Sequence, residues 1–218
     1  NPKQFNNKND FKKYPRNLKR DLLLLKKLKV DYVYIPDSND IFSFKTKNKI
    51  YLDTFSKKLC GQFRKGHFEG VLNVVNRLLE IIKPKYIFLG IKDFQQCYLI
   101  NRHILKKRIN TKVIHCKTIR ERNGVACSTR NNHLNKNQFK IASNVFRYLK
   151  KIKKITQKKM SNFKIIKIKN DLINLGVKKI DYIELYNLRT LKHPRNKREK
   201  FKIFIAFYLN KTRLIDNI

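Results

Sequence analysis

Tyr86-Ile87-Phe88-Leu89-Gly90-Ile91-Lys92-Asp93-Phe94-Gln95-Gln96 decides how this chain is read. Four apolar residues make a short buried strand, a glycine ends it, and a lysine, an aspartate and two amides follow at once. A helical stretch, Gln95 to Lys106, comes next. Open α/β sheets present polar groups to a ligand in this way, at the carboxyl edge of a strand. Upstream, Val71, Val74, Val75, Leu78, Leu79 and Ile82 recur at helical spacing, which predicts a helix from Gly70 to Ile82 that Pro84 stops. Downstream, Lys112 to Cys116 reads as a second strand. Further out, Leu18 to Lys29 is a helix candidate with Leu22, Leu25 and Leu28 on one face, and Asp31 to Ile35 reads as a strand stopped by Pro36. Residues 37–66 read as irregular, opening on the turn chemistry of residues 36–40. The β-α-β-α-β alternation predicts an α/β fold, a parallel sheet with helices on its faces.

The pattern changes after about Ile119. A second polar cluster, Ser128-Thr129-Arg130-Asn131, precedes one long basic helix, Gln138 to Gln157. Lys178 to Leu185 and Phe201 to Leu209 alternate as strands, with a charged loop, Lys192 to Lys200, between them. Two domains are therefore expected: residues 1–118 around the parallel sheet, and residues 119–218 as a smaller α+β unit. No internal repeat is visible.

The 218 residues are enough for a sizeable core, and 41% are hydrophobic, which excludes a disordered tail. Lysine and arginine number 53 against 15 acids, a formal charge of +38. Such a charge raises the case for a nucleic-acid partner. The lysines, however, are spread everywhere, alongside abundant Asn, Ile, Phe and Tyr, as A/T-rich codons would place them in any protein. A nucleic-acid partner is therefore not expected, and the field is expected to attract anionic substrates. Cys60, Cys97, Cys116 and Cys127 lack zinc-ligand spacing, as do the five histidines, so reduced thiols in a cytoplasmic protein and no metal ligands are expected. No apolar run reaches the roughly 18–20 residues of a membrane span. No signal-peptide pattern is present.

Five blocks in order carry a specific resemblance. Asn1-Pro2-Lys3-Gln4-Phe5 with Asp10 and Tyr14-Pro15-Arg16 matches NPxQF…D…YPR, and Gly66-His67-Phe68-Glu69-Gly70-Val71 matches GHFxGV. Phe88 to Gln96 matches FxGxKDxQQ; Arg120-Glu121 with Gly124 to Asn131 matches REx-DGLAMSSRN; Thr212 to Asn217 matches TRLIDN. The chain thus resembles the pantothenate synthetase (pantoate–β-alanine ligase) family. The resemblance implies a Rossmann-like nucleotidyltransferase parallel sheet with a second, smaller α+β domain, in a cytoplasmic homodimer. It implies a ligase of pantothenate biosynthesis, in the coenzyme A pathway, with ATP, pantoate and β-alanine as substrates and Mg²⁺ as cofactor. Pantoate would attack the α-phosphate of ATP, giving pantoyl adenylate and pyrophosphate, and β-alanine would displace AMP. Two further readings stay open beside it: an inactive remnant that keeps the fold, and a basic nucleic-acid-binding module.

The resemblance carries over residue by residue. Lys92 and Arg130 are the expected catalytic residues. Lys92 would neutralise charge growing on the transferring phosphate, its alternative being one more exposed lysine. Gly90, Ile91, Lys92, Asp93, Ile119, Cys127, Ser128, Thr129 and Arg130 are the expected ATP-binding residues. Gly90 would let the backbone come close to the nucleotide. Ile91 stands where the family commonly has Glu. Asp93 suits a ribose contact or a helix N-cap. Ser128, Thr129 and Arg130 match a phosphate-gripping loop, or else cap the following helix. Ile119 would meet the adenine through its backbone, where the residues alone read it as core. Gln4 and Gln96 are the expected pantoate-binding amides, with Gln4 also near β-alanine. His67 suits either the cleft or a structural role. Asn210 stands where the family has glycine. The family's HxGH motif lies upstream of NPxQF, and none of the five histidines here has its spacing, so the family's catalytic histidines are not among these 218 residues; whether a βα unit bearing them precedes Asn1 stays open.

Overall fold

A computed structural model describes residues 11, 14, 16–43 and 46–218 of the chain. Helix α1 (Leu18–Lys27) starts where the Asn17 side chain accepts the Arg20 backbone N–H and ends on Lys26 and Lys27, cations suited to a carboxyl terminus. None of its residues is buried. Asp31 to Ile35 is not the expected strand; it bends at Asp31 and has no regular secondary structure, and Tyr32 is 93% exposed. An apolar run becomes a strand only against a partner, and among the described residues nothing pairs with it. The described residues between 37 and 66 are more ordered than expected. They hold α2 (Ser38–Phe42), started by an Asp37–Asp40 capping box, a 3₁₀ turn Thr54–Lys57 capped by Asp53, and α3 (Cys60–Phe63).

Helix α4 (His67–Ile82) begins at Gly66 and stops at Lys83, just before Pro84. Strand β1 (Tyr86–Gly90), helix α5 (Phe94–Lys106) and strand β2 (Lys112–Cys116) follow. β1 and β2 pair in parallel, Tyr86 beside Lys112 through Gly90 beside Cys116. Val71, Leu72 and Leu79 of α4 pack with Ile100 and Ile104 of α5, the core that seats this βαβ unit. A buried polar network ties the 41–51 segment to it. Arg77 donates to the Ile41 carbonyl (2.7 Å), Asn76 Nδ2 to the Asn48 carbonyl (2.9 Å), and the Tyr51 backbone N–H to His103 Nδ1 (3.0 Å). Because Nδ1 accepts, His103 Nε2 carries the proton and bonds Asn76 Oδ1 at 2.9 Å, so the ring is neutral. Burial first, and then the Lys107 charge, hold its pKa below the usual histidine value.

The sign of this shift gives a prediction. As pH falls below about 6.5 the unfolded chain protonates this histidine while the folded one resists. Stability is therefore complete above that value and declines as pH drops towards the folded pKa. Thermal melts between about pH 7 and pH 5 should show a steeper fall for the wild type than for His103→Gln. Parallel curves would contradict it.

The carboxyl-terminal part adds α6 (Lys136–Lys158), opened by an Asn135–Gln138 capping box, then α7 (Ile165–Asn174), β3 (Lys179–Asn187), β4 (Phe201–Leu209) and β5 (Thr212–Asn217). The strands form an antiparallel sheet in the order β3-β4-β5. Period-two geometry explains why β4 is nearly all apolar: both its faces are covered. Ile203, Ile205 and Phe207 join Ile183 and Leu185 under α6 and α7. Phe204 and Ala206 join Tyr182 and Tyr186 on the other face, against Phe55, Leu59, Phe68 and Leu99. That second cluster joins the antiparallel sheet to the βαβ unit. Asn210 turns the β4–β5 hairpin at φ 53°, a left-handed conformation that asparagine tolerates better than other non-glycine residues.

Candidate active site

Lys92 lies in a single 3₁₀ turn, Ile91–Asp93, between the carboxyl end of β1 and the start of α5. The lysine is half-buried and borders two adjoining hollows. The first also draws in Ser128, Arg130 and Arg213, above an apolar floor that includes Val145 and Leu149. The second takes in Asp93, Gln96, Arg64 and His67. Ile215 and Asp216 of β5 line both. The two polar clusters, far apart in sequence, therefore meet in one cleft.

The loop carrying the second cluster is built by local bonds. The Glu121 backbone N–H donates to the Val125 carbonyl at 2.8 Å, Cys127 N–H to the Ile119 carbonyl at 3.0 Å, and Asn131 Nδ2 to the Ala126 carbonyl at 3.1 Å. Gly124 has φ 91°, and a Cβ there would sit 2.2 Å from the Phe146 ring, so only glycine fits. Arg120 anchors the loop. Its guanidinium forks onto Asp216 at 2.7 and 2.9 Å, bonds the Gly124 carbonyl at 3.0 Å and lies 4.5 Å above Phe146.

Every sequence-predicted site residue except Gln4 lies among the described residues. Ser128 caps the short 3₁₀ turn Thr129–His133, its Oγ accepting the Arg130 N–H at 3.2 Å, and so keeps its own O–H to donate toward the hollow. Arg130 faces the cleft, whereas Thr129 is exposed and outside its lining. Asp93 makes no side-chain cap bond to α5, which removes the capping alternative. Gly90 has an ordinary φ of −71° and open space where a Cβ would stand, so nothing in the fold requires glycine there. Ile119 is 72% exposed, not core. Cys127 is exposed; partial loss of water around its thiol and then the Glu121 carboxylate raise its pKa, with the nearby Lys92 charge opposing. Cys97, beside the strand end, is pushed up to about 12 by burial and then by Asp93. Neither thiol is therefore a ready nucleophile near neutral pH. Gln4 lies outside the described residues.

The two glutamines divide their work. Gln96 lines the second hollow, while Gln95 is buried and donates to the Phe55 and Lys58 carbonyls at 2.7 Å each, accepting the Cys60 N–H at 3.1 Å. His67 is buried at the rim, with Nε2 2.9 Å from an Arg64 nitrogen. A guanidinium only donates, so Nε2 accepts and the neutral ring holds its proton on Nδ1. Sequence reasoning missed Arg213, held by Asp181 at 2.7 Å, and the anchor Asp216, although both lie in a block singled out by resemblance. Asn131, part of the second polar cluster but given no role by the sequence, also lines the cleft; its Oδ1 is buried without a partner. Among the described residues no cluster of three or more His, Cys, Asp or Glu could cage a metal, and no helix is long and apolar enough to cross a membrane.

A family model for pantoate-beta-alanine ligase matches residues 1–218. The chain is 36% identical over 222 residues to the pantothenate synthetase of Flavobacterium psychrophilum, covering all of this chain and 79% of that one. It is 38% identical over 224 residues to that of Fervidobacterium nodosum, covering 100% and 78%. Its structure superposes with TM-score 0.83 and 35% identity on a Francisella tularensis pantoate-beta-alanine ligase complexed with beta-gamma ATP and beta-alanine, covering 100% of this chain and 76% of that one. A pantothenate synthetase from Thermus thermophilus gives TM-score 0.89 at 26% identity, covering 100% and 80%. The fold is thus the α/β, nucleotidyltransferase-like one, with a parallel sheet and a separate small antiparallel sheet. The chain belongs to the pantoate-beta-alanine ligase family and is a ligase of pantothenate biosynthesis.

Proposed function

We propose that the chain joins pantoate to β-alanine through a pantoyl-adenylate intermediate, with ATP bound in the first hollow and pantoate in the second. The observation that supports this most is Lys92, which borders both hollows and so stands where a carboxylate in one would meet a phosphate in the other. A pantoate carboxylate oxygen attacks the α-phosphorus, the bond to the bridging oxygen breaks, and pyrophosphate leaves with the negative charge. The β-alanine amine then attacks the acyl carbon, AMP departs, and the amine's proton passes to solvent.

The Lys92 ammonium offsets charge on the α-phosphate and bridging oxygen as both grow more negative. Arg130 and the Ser128 hydroxyl, with Thr129 at the loop's outer side, hold the β- and γ-phosphates as they leave. Gly90 and Ile91 supply backbone beside the nucleotide, Asp93 accepts from a ribose hydroxyl, and Ile119 with Cys127 border the adenine. Asn131 Oδ1 supplies an acceptor that a ligand N–H or O–H can satisfy. Gln96 donates to the pantoate carboxylate and accepts from its hydroxyls; Gln4 joins it and extends to β-alanine. Mg²⁺ enters as the counterion of ATP, held by the nucleotide's phosphates. The protein works as a cytoplasmic homodimer, an assembly that sedimentation at micromolar concentration would check.

Incubation with ATP, Mg²⁺, pantoate and β-alanine should release AMP and pyrophosphate in equal amounts, and only with pantoate present. Release of ADP and phosphate would overturn the proposal. Gly90→Ala tests the close-approach role. The open space predicts a melting temperature within about 2 °C of wild type. ATP affinity should nevertheless fall about tenfold, measured by calorimetry, because a methyl group occupies the nucleotide's path. Unchanged affinity would remove Gly90 from the site.

A further inference from the structure

We infer that Asn217, oriented by Lys202, is the positioning residue that sets the turn carrying Lys92. Asn217 is 3% exposed and spends both amide protons on consecutive carbonyls of that turn, Ile91 and Lys92, at 2.8 Å each. Its Oδ1 receives the Lys202 ammonium, which reaches it from the neighbouring strand β4. The orientation has no alternative. An ammonium can only donate and a carbonyl can only accept, so flipping the amide would break all three bonds together.

A single 3₁₀ turn has few bonds of its own, and its carbonyls lie at an element junction where helix bonding is incomplete. A side chain from a sheet is a stiffer partner than water. Strand β5 is also tied to the opposite wall. Asp216, one residue earlier, accepts both the Asn217 backbone N–H (2.7 Å) and the Arg120 fork that anchors the Arg130 loop. The last two residues of β5 thus hold the lysine turn and the clamp loop from one point. The spacing between Lys92 and Arg130 is therefore set by the sheet rather than by either loop. The functional consequence, though not the contact itself, rests on the proposed role of Lys92.

The test uses Asn217→Asp, which keeps the volume and removes the donors, and Lys202→Met, which leaves Asn217 in place should the first variant fail to fold. Hydrogen exchange of the peptide spanning residues 89–97 should accelerate about tenfold in the Asp variant, and less in the Met variant, as expected for two lost bonds. The α4 peptide should keep its wild-type rate. ATP affinity should fall about tenfold when Lys92 is present and change by no more than about twofold in a Lys92→Ala background, the mark of acting through Lys92. Unaltered local exchange overturns the inference, and so does an equal loss of affinity in both backgrounds, which would mark a general structural role. If Lys92→Ala alone leaves the turnover number intact while local exchange still rises in Asn217→Asp, the proposed role of Lys92 fails and the positioning contact stands.

Discussion

Replacing Lys92 by alanine should lower the turnover number for AMP release by about 100- to 1000-fold, the loss typical of removing one preorganised charge from a transition state. The folded protein should hardly notice. The turn is fastened through backbone carbonyls at 2.8 Å from Asn217, which the substitution leaves in place. The side chain is half-buried at a cleft rim, and such changes usually stay within about 0.5 kcal/mol of neutral. The ground-state carboxylate and triphosphate already attract a cation, so KM should rise as well. The larger effect belongs in kcat, because the charge on the bridging oxygen appears only as the bond breaks. Lys92→Arg should recover part of the rate, since it keeps the charge on a planar head of different reach. A wild-type kcat in a well-folded Lys92→Ala protein would refute the assignment.

Arg120→Ala should produce the largest loss of stability. The guanidinium joins a loop before α6 to the last strand through two bonds to Asp216, with side-chain exposures of 22% and 11%. Its removal leaves the Asp216 carboxylate poorly solvated, the Gly124 carbonyl without its side-chain donor and Phe146 uncovered. Leaving one partner of a buried pair alone is the costly case, and partial exposure reduces it here to about 2–3 kcal/mol. For a chain of this size that corresponds to a thermal midpoint lower by roughly 5–10 °C. Arg120→Lys should lose most of this too, because an ammonium cannot fork onto both carboxylate oxygens. Activity should fall together with stability, since the same loop presents Ser128 and Arg130. A melting temperature within about 1 °C of wild type would show that the fork is a solvated surface contact.

Strong local signals were legible, and signals that depend on a partner were not. β1, α5 and β2 could be read because short apolar runs alternate with one amphipathic run and Pro84 punctuates them. β4 was visible as a strand, but its unbroken apolar run makes sense only once two layers are seen to cover it. Helix α7 passed unnoticed because lysines interrupt its apolar residues. Asp31 to Ile35 failed as a strand for the opposite reason: its propensity is right and, among the described residues, it has no ladder. At the site, Lys92 and the Ser128–Arg130 cluster could be picked out by residue type and order. No periodicity, however, says that Gln95 points into the core while Gln96 points into the cleft; that depends on where the 54–60 segment packs. Asn217 and Asp216 were likewise unreadable, since their partners lie far away in sequence.

The most direct test is a crystal structure of the protein bound to a non-hydrolysable ATP analogue. The account predicts one nucleotide with its α-phosphate within hydrogen-bonding distance of Lys92 and its β- and γ-phosphates on Ser128 and Arg130. A triphosphate seated away from either Lys92 or Arg130 would contradict it.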